Sequence, residues 1–254
     1  MKLAGKSRRR AIVGAIVGVA AAATTALTIL PSSAAGNTAA ARPQVSQTAG
    51  LDVSNYQGNV NWSSVKSHGA KFAYILATSS TNFTNRYFAQ QYNGSYKQNI
   101  IRGAYHFANP ARSSGAAQAD FFVRHGGGWS KDGRTLPGAL DLENVGYEPF
   151  CYGLSKSSMG AWIRSFSNEY HKKTSRYPVI YTRTSWWDQC VSSAYDFHNT
   201  NPLWIANYNG TTKPLPYHWT VETIWQWAGH PVTFPGDQDR FNGDASRVRA
   251  LANG

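Results

Sequence analysis

The clearest chemical potential in the chain lies in Pro137-Gly138-Ala139-Leu140-Asp141-Leu142-Glu143-Asn144. A Pro-Gly pair opens a short apolar run, and two carboxylates follow at spacing i, i+2. Alternate side chains of an extended strand share a face, so Asp141 and Glu143 point one way and Leu140 and Leu142 the other. Adjacent acids repel, and one of them holds its proton to higher pH than a free carboxyl does. Glycoside hydrolysis uses such a pair: one carboxylic acid protonates the leaving oxygen while a second group stabilises or attacks the sugar carbon. Spacing alone fits the solvated end of a strand equally well.

The elements that must position these acids follow a strand–helix rhythm. Leu51–Tyr56 reads as a strand, followed by a short helix from an Asn61 cap to Ser67, stopped at Gly69. Phe72–Thr78 is a second strand, with Asn85 placed to cap a helix reaching Gln98. Ile101–Phe107 is the third strand, Ser114–His125 the next helix, and Leu140–Glu143 the fourth strand. Ser155–Lys173 carries Met159, Trp162, Ile163 and Phe166 on one helical face, and Pro178–Thr182 is the fifth strand. Leu203–Tyr208, Thr223–Ala228 and a piece around Asp239–Phe241 then read as strands without long helices between them. The alternation predicts an α/β fold with a mostly parallel sheet. It is either a (β/α) barrel whose last third lacks helices or an open doubly wound sheet.

In a barrel, chemistry sits at the C-terminal ends of the strands. The sequence places there Asp52, Tyr105-His106-Phe107, Asp141 and Glu143, Tyr181, Trp204 with Asn207 and Tyr208, Trp225-Gln226-Trp227, and Asp239. Four carboxylates and a set of aromatics would share one cleft, the aromatics stacking on sugar faces. His106 is expected to be a hydrogen-bonded core histidine. No glycine-rich phosphate loop follows a strand and no nucleophile elbow is visible, which counts against nucleotide binding and acyl transfer. No histidine cluster has metal-ligand spacing, so no metal and no cofactor are expected.

Composition supplies an address. Lys2, Lys6, Arg8, Arg9 and Arg10 precede an apolar run from Ala11 to Leu30, and Ser33-Ala34-Ala35 offers small residues for cleavage. Residues 1–35 are expected to be a secretory signal peptide rather than a retained membrane anchor. Ser7-Arg8-Arg9 leaves open whether export is general or by the twin-arginine route. Residues 36–50, polar with Pro43, read as a leader or linker, and residues 51–254 as one catalytic domain. Taking the five basic residues of that signal from the +12 net charge leaves +7, scattered rather than clustered. That charge suits anionic cell-wall polymers better than nucleic acid. Cys151 and Cys190 are expected to form a disulfide closing a loop of about 40 residues, contributing about 3–4 kcal/mol. Nothing in the pattern asks for more than a monomer.

The residues resemble a known family, the glycoside hydrolase family 25 lysozymes or Chalaropsis-type muramidases. The resemblance spans the domain. It rests on Leu51-Asp52-Val53-Ser54-Asn55-Tyr56-Gln57-Gly58, Phe72-Ala73-Tyr74-Ile75 and Arg102-Gly103-Ala104-Tyr105-His106-Phe107. It continues through Leu140-Asp141-Leu142-Glu143, Val179-Ile180-Tyr181-Thr182, Trp225-Gln226, and Asp239 before Phe241-Asn242-Gly243. The resemblance extends to secreted actinobacterial members, which share the cysteine pair. The resemblance implies a flattened barrel of five β/α units followed by three strands. It also implies cleavage of the β-1,4 bond between N-acetylmuramic acid and N-acetylglucosamine in bacterial peptidoglycan. Glu143 would be the acid, Asp141 would assist the substrate's acetamido group, and Asp52 and Asp239 would hold charge and orientation. Tyr105, Tyr181 and Trp204 would line the sugar cleft, with Tyr56 and Trp225 as further substrate-binding positions. A direct carboxylate nucleophile is the alternative mechanism.

One departure stands out. Leu76-Ala77-Thr78-Ser79-Ser80 replaces a stretch in which the family commonly carries a lysine before Ala-Thr-Glu-Gly, so Leu76 and Ser79 remove charge from the cleft rim. A wall-binding protein without turnover is therefore a rival expectation. A chitinase-like hydrolase is another, but that motif needs a further aspartate where this chain has Ala139.

Overall fold

A computed structural model describes residues 46–254, so the expected signal peptide and most of the expected leader lie outside the described residues. Nine strands are present among them: β1 (Gln47–Val53), β2 (Phe72–Ser79), β3 (Phe83–Thr84), β4 (Ile101–Phe107), β5 (Ala139–Leu142), β6 (Val179–Thr182), β7 (Leu203–Ala206), β8 (Ile224–Ala228) and β9 (Asp237–Asn242). Their hydrogen-bonded order is β1-β9-β8-β7-β6-β5-β4-β2-β3, and β1 also pairs with β2. That last pairing closes eight strands into a barrel and leaves the two-residue β3 outside the ring. The open doubly wound sheet is excluded. Seven barrel strands run parallel, and β9 alone is antiparallel to both neighbours, β1 and β8.

The helices are α1 (Trp62–Ser67), α2 (Phe88–Lys97), α3 (Gly115–Phe122), α4 (Lys156–Thr174), α5 (Thr184–Cys190) and α6 (Ala245–Asn253). Asn61, Ser114 and Ser155 cap α1, α3 and α4 through side-chain oxygens that accept from Ser64 N, Ala117 N and Ser158 N. Three features differ from the sequence expectations. Asn85 does not cap α2, which begins at Phe88; its Nδ2 donates instead to Leu76 O and Gln91 Oε1. The strand expected from Leu51 begins four residues earlier, at Gln47, so the end of the supposed linker belongs to the sheet. Thr48 Oγ1 donates to Gly243 O at 2.7 Å there, and Gly50 packs so tightly on Phe72 that a Cβ would overlap the ring. Finally, β3 and α5 have no counterpart among the expected elements, and neither does α6. Asp244 caps it, and Val248 and Ala252 bury against the barrel-interior residues Phe72, Leu136 and Phe241.

Two apolar layers hold the acids in place. The barrel interior is filled by Tyr74, Tyr105, Tyr181, Trp204 and Ile224. Outside, α3, α4 and α5 cover β5 and β6 through Phe122, Met159, Ile163, Phe166, Trp186 and Trp187. Cys151 and Cys190 are joined, tying the loop after β5 to the end of α5.

Candidate active site

The Pro-Gly turn delivers β5 into the centre of the sheet, between β4 and β6. Leu140 and Leu142 point outward into the helical layer, and Asp141 points inward at the barrel mouth, in register with Phe107 and Tyr181. Glu143 follows directly after the strand and stays half-buried, while Asp141 is 6 % exposed. Tyr152 fixes the turn by donating to Glu143 O at 2.6 Å.

Asp52, near the end of β1, faces Asp237 across the β1–β9 pair, and Asp239 lies two residues deeper on the same face of β9. Gln226 on β8 ties these strands together. Its Nε2 donates to Asp52 Oδ2 at 2.7 Å and to Asp237 Oδ2 at 3.4 Å. Its Oε1 accepts from Tyr181 OH at 2.9 Å and Tyr208 OH at 2.7 Å. Asp239 is almost fully buried; its Oδ1 accepts from Trp204 Nε1 at 2.9 Å, and its Oδ2 has no conventional donor.

Five carboxylates therefore meet at one end of the barrel, and burial sets their chemistry. Desolvation raises every one of them above the ordinary carboxylate range. Asp52 is pushed up to about 8 by burial and then by the Asp237 charge, against the stabilising bonds from Gln226 and Asp239. Asp141 rises furthest of the β5 pair, through burial and repulsion from Glu143. Glu143 rises through burial, with Arg183 pulling it back down. Asp239 is raised by burial and by repulsion from the neighbouring Asp52. An oxygen without a donor, beside another carboxylate in a buried place, is satisfied when Asp239 stays neutral and donates its own proton to Asp52.

The other expected site residues divide into two groups. Trp204 does not line the cleft: it is 2 % exposed, stacked 4.9 Å from Tyr74 and edge-on to Tyr105 and Tyr181. It forms the floor under the acids, because its indole N–H is used up by Asp239. Tyr105 and Tyr181 are also largely buried, with Tyr181 OH aimed at Gln226. Tyr56, by contrast, is 89 % exposed and borders a groove of about 810 Å³ with Leu76, Ser79, Phe107, Arg112 and Tyr147. Trp225 borders a second depression of about 550 Å³ with Tyr208, Trp227, His230 and Arg240. His106 is the expected core histidine: Thr78 Oγ1 at 2.7 Å and Gln118 Oε1 at 2.9 Å hold it, and burial lowers it to about 4.

Asp237 and Arg183 join the site without having stood among the sequence candidates, and Gln226 and Tyr208 take a larger part than a strand-end position implies. Asp237-Gln238-Asp239 repeats the acid-x-acid spacing of Asp141-Leu142-Glu143, and that signal is present in the sequence. Arg183 carries no local signature, whereas Gln226 belongs to the Trp225-Gln226 pair of the family resemblance. Arg183 Nη2 donates to Tyr208 OH at 3.2 Å and supplies the positive charge facing Glu143.

A barrel mouth lined by protonatable carboxylates, with grooves on either side and an aromatic floor, defines a glycoside hydrolase. Residues 51–236 match the family described as Glycosyl hydrolases family 25, and the chain belongs to that family. The match stops one residue before Asp237. The chain is 47% identical over 209 residues to an N,O-diacetylmuramidase of Chalaropsis sp, covering 81% of this chain and 99% of that relative. It is 48% identical over 208 residues to Lysozyme M1 of Streptomyces globisporus, covering 80% and 71%. The solved muramidase of Acremonium alcalophilum superposes with a TM-score of 0.79 at 50% identity, covering 82% and 99%.

Proposed function

We propose that this family 25 lysozyme cleaves the β-1,4 bond between N-acetylmuramic acid and N-acetylglucosamine in peptidoglycan, with Glu143 as the general acid. The Asp141–Glu143 pair carries the proposal: both hold protons above the ordinary range, and Glu143 is the half-buried member while Asp141 is enclosed. A proton donor must be accessible to the glycosidic oxygen, and the partial exposure of Glu143 supports it over Asp141. Glu143 gives its proton to the leaving oxygen as the C1–O bond breaks. The substrate's acetamido oxygen closes on C1, with Asp141 orienting the amide, and water then opens that ring to restore the hemiacetal. Asp52, Asp237 and the neutral Asp239 set the charge of the opposite wall, held in register by Gln226.

Arg240 lies over the rings of Trp225 and Trp227, and Arg112 borders the other groove. These cations, with the basic net charge, favour an anionic wall polymer as the surface on which the enzyme works. The Cys151–Cys190 disulfide supports an extracellular location.

The test is digestion of purified bacterial walls followed by reduction of the new ends. Muramitol is the expected product; glucosaminitol, or binding without new reducing ends, overturns the proposal.

A further inference from the structure

A second cluster lies at the opposite end of the barrel from the acids. Asp196 and His198 sit in the loop between α5 and β7, and His218 in the loop between β7 and β8. His198 Nδ1 is 2.5 Å from Asp196 Oδ1, and His218 Nδ1 is 3.9 Å from Asp196 Oδ2. The two imidazoles lie nearly parallel, 18° apart with centroids 5.7 Å apart. One ligand atom from each residue falls within 4.8 Å of the others. All three side chains remain open to solvent, at 42 %, 35 % and 34 % exposure.

What separates this cluster from a chance surface grouping is how its backbone is held. Phe197, between the first two residues, is 4 % exposed, and Trp219, next to His218, is 8 % exposed. Both rings meet the same buried indole edge-on, Trp187, at 5.8 Å and 5.0 Å. Trp219 Nε1 also donates to Asn201 O at 3.1 Å, joining one loop to the other. Two separate loops are thus pinned to one core residue, and each presents its polar neighbours outward to the same point.

We propose that Asp196, His198 and His218 form a binding site for a divalent late first-row metal, with zinc as the representative ion. Two imidazoles and one carboxylate suit zinc, nickel or copper rather than calcium or magnesium, which prefer oxygen ligands. Bonds of about 2.1 Å in a tetrahedral site separate ligand atoms by about 3.4 Å, so the hydrogen-bonded Asp196–His198 pair opens by about an ångström and His218 closes by about half of that, shifts that exposed side chains can make by rotation. The fourth position is open to water. The cluster precedes the N-terminal ends of β7 and β8, whereas the acids occupy the other end of the barrel. Its role is accordingly structural: the ion clips two loops together and leaves the glycosidase chemistry alone. No sequence spacing reveals it, because the histidines come from different loops.

The experiment is calorimetric titration of the untagged protein with zinc chloride, together with His198→Ala and His218→Ala. The parent is expected to take up one equivalent. Its unfolding temperature should rise by about 5–10 °C when free zinc is about a hundredfold above the Kd. Each substitution should abolish both effects while zinc-free wall clearing stays at the parental rate, which shows that the variant is folded. If an alanine costs the fold, His198→Gln and His218→Gln serve the same purpose. No zinc uptake by the parent, or uptake that survives either substitution, overturns the site.

Discussion

Asp52→Asn tests the electrostatics of the barrel mouth through stability rather than catalysis. Asp52 is 8 % exposed and held at about 8 against an ordinary value of 3.8. In the folded protein it keeps its proton through a pH range in which the unfolded chain has lost it. The folded state therefore binds more protons between pH 4 and 8, and stability falls as pH rises through that window. At about 1.36 kcal/mol for each tenfold change in proton affinity, this displacement sets an upper bound of about 5–6 kcal/mol. Shared repulsion with Asp237 and Asp239 spreads part of it over the cluster, leaving about 2–4 kcal/mol for this residue. An amide has no proton to lose, and its oxygen can still accept from Gln226. At pH 4 and below parent and variant should unfold at nearly the same urea concentration. At pH 8 the variant should be the more stable by that amount, with the disulfide kept intact in both. Parallel stability–pH curves, or a parent that gains stability from pH 5 to 8, would refute the inferred burial of charge.

Asp239→Asn should keep wall-clearing activity within about threefold, since an amide keeps the acceptor for Trp204 and, like a neutral acid, can offer a donor towards Asp52, whereas Asp239→Ala should lose the Trp204 bond and about 1–3 kcal/mol of stability. Equal losses in the two variants would mean that Asp239 works ionised. Gly50→Ala should destabilise by about 1–3 kcal/mol through overpacking against Phe72 and, by shifting β1, displace Asp52. A fully stable, fully active variant in urea unfolding and turbidity assays would contradict that packing.

Much of this is legible in the chain because it depends on local pattern. The period-two alternation around Asp141 and Glu143 fixes which side chains face the barrel mouth, and the apolar runs with serine and asparagine caps mark most strands and helices. What escapes depends on pairings distant in sequence. Closure of the barrel rests on β1 meeting β2 on one side and β9 on the other, which no window of residues contains. Trp204 reads as a sugar platform from its place at a strand end, yet the ring turns inward to fill the barrel and bond Asp239. Gln226 stands at an expected strand end, but only the fold brings it between Asp52, Asp237, Tyr181 and Tyr208. Asn85 has the residue type and position of a helix cap, but its Oδ1 accepts from Tyr87 N ahead of the helix while its Nδ2 donates to Leu76 O and Gln91 Oε1.

The central claim is that Glu143 delivers the proton that breaks the glycosidic bond. Glu143→Gln keeps the size and the backbone bond from Tyr152 but has no acidic proton to give. Binding to purified walls, measured by co-sedimentation, should stay close to parental while release of muramic-acid reducing ends falls by about a hundredfold or more. Near-parental release from that variant would contradict the account.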